Sequence, residues 1–116
     1  MKVVNYKDVL PVVMNNEMVK NVAARVMIGK EDGAQKFCMR VFEMGKDGYS
    51  PKHTHDWEHE VFVHGGNGEV LIKDKGYPVS AGSAIFVPPN IEHQFRNTSD
   101  ETFTFVCLIP SGAPEL

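Results

Sequence analysis

No stretch of this 116-residue chain approaches the roughly 20 consecutive apolar residues that a membrane-crossing helix requires, so no interaction with a membrane is expected. The opening stretch MKVVNYKDVL is interrupted by Asn5, Lys7 and Asp8 and has neither the apolar run nor the small-residue cleavage site of an export signal, which predicts a cytoplasmic protein. Cysteine is scarce: Cys38 and Cys107 are the only two, and in a reducing compartment they are expected as free thiols. Basic clusters are absent too. Fifteen acidic residues outnumber 12 basic ones, so the electrostatic footprint of a nucleic-acid binder is missing and no nucleic-acid partner is expected. No linker, composition shift or internal repeat divides the chain, which reads as one domain over residues 1–116. Small-molecule chemistry is what remains.

The segments RVMIG, KFCMRVFEM, HEVFVHG, GEVLIKD, SAIFVP and FTFVCLIP are short and rich in β-branched and aromatic residues, and Gly, Pro, Asn and Asp stand between them. They read as strands. Turn signals at Gly29–Gly33, Lys46–Gly48, Gly65–Gly68, Lys75–Gly76 and Asn97–Asp100 recur too closely for ordinary helices to fit, so an all-β sandwich or barrel is predicted. Residues 1–20 are open between a strand pair turning at Asn15 and Asn16 and a peripheral arm.

Three of the five histidines fall within HTHDWEH, residues 53 to 59. On a strand, His53 and His55 would project from one face and could grip one ion. His59 has the same parity, although Asp56 and Trp57 are expected to bend the chain between them. His93 follows the turn-forming Pro88, Pro89 and Asn90, and a barrel could bring it opposite the cluster. A single histidine is more often a surface or hydrogen-bonded residue than a ligand. A clustered group differs, because converging imidazoles without a cation would repel when protonated or leave ring nitrogens unpaired when buried. His64, beside GGNG, reads as a surface residue at a hairpin end.

These residues resemble the two motifs of the cupin family. The first, G(X)5HXH(X)3,4E(X)6G, is matched by HTH-DWE-H-EVFVHG-G from His53 to Gly66, with His59 in the place of the family glutamate. The second, G(X)5PXG(X)2H(X)3N, is matched by Gly82, Pro88, His93 and Asn97, with Asn90 replacing a glycine. Gly48 lies one residue too close to His53, and Asp47 stands where the motif glycine would be. The motifs span about 47–66 and 82–97. The resemblance implies a small jelly-roll barrel, a double-stranded β-helix, with an ion held by His53, His55, His59 and His93. Small cupins with a four-histidine, manganese-binding site are especially similar, sharing the run H-x-H-x-W-E-H-E. A rival count with the longer spacer would make Glu60 the ligand, but it puts Asn67 where a glycine belongs.

Four neutral imidazoles leave the ion's charge uncompensated, so the site should attract anionic or polarisable oxygen ligands. Ligand type leaves iron, copper, nickel and zinc open, and the resemblance favours manganese or iron. The leading expectation is a metal-dependent oxidoreductase of dioxygenase type acting on a small organic molecule. A non-redox isomerase using the ion as Lewis acid is the alternative, with a non-catalytic ligand-binding module beyond it. Glu58, Glu60 and Glu92 have parity opposite to the ligands and should point outward. Strand parity also proposes a pocket lined by Arg40, Phe95, Phe105 and Cys107, with an inward arginine in want of an anion. A homodimer is expected, from the resemblance and because residues 1 to 14 could add a strand to a neighbour's sheet.

Overall fold

Val61 and Val63 are buried while Glu60, Phe62 and His64 around them are exposed, the period of two that puts alternate side chains on opposite faces of a strand. The same alternation organises the whole chain, seen in a computed structural model that describes residues 1–116. Nine strands follow in order: β1 (Val12–Met14), β2 (Lys20–Ile28), β3 (Phe37–Tyr49), β4 (His59–Gly65), β5 (Asn67–Ile72), β6 (Lys75–Ser80), β7 (Ala84–Val87), β8 (His93–Asn97) and β9 (Phe103–Pro110). Two single 3-10 turns, Tyr6–Asp8 and Lys30–Asp32, are the only helical pieces, and no helix is long and apolar enough to cross a membrane.

All pairings are antiparallel, in the order β6-β5-β8-β3-β9-β4-β7, with β2 on the other side of β3 and β1 outside β2. The sheet curls into a jelly-roll barrel whose free edges, β6 and β7, face each other across an apolar seam lined by Ile72, Val79 and Ile85. The register sets Phe42 opposite Phe105, Met44 opposite Phe103 and Val70 opposite Phe95, and all of them point into the barrel. Phe103, Met44 and Val63 are fully buried, and each such side chain contributes about 1.5–3 kcal/mol relative to exposure.

β3 is the corner of the barrel, pairing with β9 along its first half and with β8 at Tyr49. The residues Lys46 to Gly48, expected as a turn, lie inside this strand as a bulge. Its register against β2 slips between Lys20 and Val22, and Asp47 and Asn21 take φ of 60° and 53°. Turn chemistry and bulge chemistry use the same left-handed backbone, which is why the two look alike in sequence. The turn expected at Lys75–Gly76 falls instead at Lys73 and Asp74, and Lys75 and Gly76 begin β6. That strand was not foreseen because it contains Pro78, which is tolerated because β6 is an edge with β5 as its one ladder partner. At the N-terminus β1 pairs with β2 of its own chain, the strand-pair option, with Asn16 Oδ1 accepting from the amides of Met18 and Val19 in the turn.

Candidate metal centre

His53, His55, His59 and His93 converge, and their ligating atoms all lie within 4.8 Å of one another. They arrive by different routes. His59 opens β4 and His93 opens β8, whereas His53 and His55 lie on an irregular segment rather than on the strand that parity assumed. What holds that segment is a two-residue bridge: His53 N–H donates to His93 O at 3.2 Å and His93 N–H to His53 O at 3.1 Å. Asn90 N–H then donates to His55 O at 2.7 Å from a left-handed φ of 64°, the conformation that asparagine tolerates and the family glycine provides. The bend expected at Asp56 and Trp57 is present, and it lays the indole flat on the His55 ring with centroids 4.0 Å apart.

The imidazoles are oriented by their outer nitrogens. His55 Nδ1 lies 2.8 Å from Trp57 O and His93 Nδ1 lies 2.8 Å from Ile91 O. A carbonyl can only accept, so each Nδ1 carries the proton and each Nε2 presents a lone pair inward. His59 Nδ1 lies 3.2 Å from Cys107 Sγ, a contact that holds the ring and in which either atom can supply the proton.

The inward nitrogens have little but one another to bond. His93 Nε2 is buried without a partner, and the Nε2 atoms of His55 and His59 face each other at 2.8 Å. With the proton of each ring on Nδ1, these two lone pairs would repel unless a cation lay beside both, so the residues fit a divalent ion. Metal–nitrogen bonds of about 2.1 Å put opposite ligands at most roughly 4.2 Å apart, so the widest pair would close by about half an ångström. Burial pushes His59 down to about 3, with the Arg40 charge and the neighbouring rings adding to it. Burial likewise lowers His55, and His53, the most exposed of the four, falls to about 4. His53, His55 and His59 are thereby held in the neutral form, the one that ligates.

A cavity of about 100 Å³ adjoins the cluster, lined by Arg40, Phe42, Ser50, His53, His59, His93, Phe95, Phe105 and Cys107. All four pocket residues proposed by strand parity are here. Phe95 stacks on Phe105 at 5.0 Å and Phe105 on Phe42 at 5.3 Å, giving one aromatic wall. Arg40 reaches over the Phe42 ring, its Nη2 donating to Cys107 Sγ at 3.0 Å and its Nη1 to Glu115 O at 3.3 Å. Both thiols are free and buried; burial pushes Cys38 up to about 11 and raises Cys107 against the opposing charge of Arg40. Glu58, Glu60 and Glu92 are exposed, and no carboxylate lines the cavity. His64 is exposed and meets Tyr6 edge-on.

Sequence reasoning missed Ser50, Trp57 and the carbonyl of Glu115. Trp57 had a signal, as the sole tryptophan and inside the histidine run. Ser50 is tied to the backbone of Phe95, accepting from its N–H at 2.8 Å, and Glu115 enters through a C-terminal return that no local pattern announces.

A family model described as "Cupin domain" matches residues 40–109. Among solved structures, the polyketide cyclase RemF of Streptomyces resistomycificus superposes with a TM-score of 0.90 at 32% identity, covering 98% of this chain and 82% of that one. The 1-methylthio-D-xylulose 5-phosphate methylsulfurylase of Rhodospirillum rubrum is 30% identical over 71 residues, 61% of this chain and 46% of that protein. The glucose-6-phosphate isomerase of Thermococcus onnurineus is 29% identical over 96 residues, 72% of this chain and 51% of its own length. The chain thus spans about half the length of the curated relatives it matches.

Proposed function

This chain belongs to the cupin family, and from that premise we infer that it is a metal-dependent enzyme that uses a divalent ion on His53, His55, His59 and His93 as a Lewis acid toward a small carbonyl-rich molecule. The observation that carries the reading is the ligand set. His53, His55, His59 and His93 with no carboxylate would leave the charge of a divalent ion uncompensated, and such an ion would supply Lewis-acid chemistry. The similarity to a polyketide cyclase over nearly the whole chain points to a substrate with carbonyls on alternate carbons, and cyclisation or isomerisation as the reaction class.

The chain's own residues supply position and an apolar wall. Phe42, Phe95 and Phe105 offer a flat apolar wall for a conjugated ligand, and Arg40 stands where negative oxygen would gather. A cavity of about 100 Å³ is below the roughly 300–1,000 Å³ of whole-ligand pockets, so only the reacting end of a larger substrate enters it. With Glu58, Glu60 and Glu92 outside, the site has no carboxylate to move protons, which favours chemistry on an already acidic substrate.

The oxidative reading, with manganese or iron as the ion, stands second; four imidazoles suit redox-active metals as readily as zinc. Anaerobic turnover of a poly-β-ketone with zinc-loaded protein tests the choice. Product formed with zinc and without dioxygen supports the Lewis-acid reading. A strict need for dioxygen and a redox-active metal replaces it with the oxidative one, and saturable binding without product makes the protein a ligand-binding module.

A further inference from the structure

Arg40 alone among the lysines, arginines, aspartates and glutamates is buried, at 7% exposure, and it takes part in none of the molecule's ion pairs. Its two bonded nitrogens reach neutral acceptors, Cys107 Sγ and Glu115 O, and its Nε–H has no partner at all. The carboxylate of Glu115 does not help, since it accepts from the Lys30 amide instead. A buried guanidinium without a counter-charge is costly, and an orphaned donor adds to that cost. Arg40 and three of the histidines line the same small cavity. With an ion on four neutral imidazoles, that cavity would be flanked by three positive charges and no negative one. The arrangement calls for an anion supplied from outside.

We propose that Arg40 is the anion receptor of this site, selecting ligands that carry a carboxylate or enolate whose free oxygen it binds while another oxygen of the same molecule faces the histidine cluster. This rests on the metal-site reading above and narrows its substrate class from carbonyl compounds to anionic ones. The cavity volume of about 100 Å³ limits the recognised part to a few heavy atoms, such as a 1,3-dicarbonyl anion. With both Nη groups already engaged, the orphaned Nε–H is the donor left for that oxygen, and the planar guanidinium fixes its direction as a lysine ammonium does not. Cys107 accepts from Arg40 on one side and contacts His59 on the other, so it keeps the guanidinium and the ligand ring in fixed relation.

The test is calorimetric titration of zinc-loaded protein with malonate and with malonamide, its neutral analogue of the same size. Malonate should bind at least tenfold more tightly than malonamide, and Arg40→Gln should remove most of that preference while zinc content stays at one ion per chain. Equal affinity of Arg40→Gln and the unaltered protein for malonate, with zinc retained, overturns the proposal. Because a buried substitution can unfold the barrel, a second measurement uses the unaltered protein alone. The nitrogen-15 resonance of Arg40 Nε–H should shift with malonate and not with malonamide, and an unmoved resonance overturns the proposal whatever the variant does. If the unaltered protein takes up no zinc, the metal reading fails by itself, and the same resonance in the metal-free protein still decides the role of Arg40.

Discussion

Asn97 holds the corner of the barrel by its side chain: Nδ2 donates to the carbonyl of Met44 at 2.9 Å, and also lies 3.0 Å from Gly45 O and 2.7 Å from Glu101 O. A motif asparagine with no chemistry of its own thus braces the bulge at which β3 turns from one half of the barrel to the other. Asn97→Asp would set a carboxylate against three carbonyl oxygens, and Asn97→Ala would leave buried acceptors unpaired. Either change should destabilise the fold by about 1–3 kcal/mol, read as a lower urea midpoint with an unchanged slope.

His93→Ala should cut metal content sharply and keep the strands. Its backbone bridge to His53 is untouched by the substitution, whereas its buried Nε2 is lost. Elemental analysis and far-ultraviolet circular dichroism of the same preparation report both effects, and unchanged metal content would rule out a four-ligand site.

Cys107→Ala removes the sulfur that orients His59 while leaving an apolar group of similar size. Loss of an orienting partner typically costs about 10–100-fold in metal affinity. Competition with a chromophoric chelator, at a temperature where both proteins are folded, should show a fall of that order; the melting temperature of the metal-free protein should also drop, because the buried Arg40 Nη2 loses its acceptor.

The metal-free protein should lose stability as pH falls from about 6.5 toward 4. Burial holds His59 near 3 in the folded chain, so the unfolded chain, with ordinary histidines, binds more protons throughout that window. Stability therefore rises with pH across the window and levels off above about 7. Melting temperatures at pH 7.5, 6, 5 and 4 check this, and a flat profile would contradict it.

Sedimentation of the purified protein should give a dimer. Phe37, Phe62 and Phe86 are each more than half exposed on the strands β3, β4 and β7, with the exposed Glu60 opposite Phe86, and a two-fold pairing of this side of the sheet would cover them on both copies at once. A monomer at high concentration would refute the expectation.

Strands with clean alternation or β-branched runs were legible to the residue: HEVFVHG and FTFVCLIP are β4 and β9. Parity also brought Arg40, Phe95, Phe105 and Cys107 into one pocket, because a barrel has only an inside and an outside. Its failures have physical causes. Pro78 and Lys75–Gly76 mimic a turn because an edge strand tolerates what a central strand does not. His53 and His55 converge by way of a backbone bridge to His93 rather than by strand alternation, and such a bridge depends on residues far along the chain. The Arg40–Cys107–His59 chain needs the register of three strands, which no single segment encodes.

The bridge between His53 and His93 fastens two stretches separated by β4 through β7, so the cluster cannot exist until those strands have folded back on themselves. An ion seated there would be a clasp on a long loop. Where free metal stands a thousandfold above its dissociation constant, the clasp adds about 4 kcal/mol to a fold of this size, a large part of typical total stability. A cell short of that metal would then register the shortage in how much of this protein survives its proteases, before any question of how fast the surviving copies work.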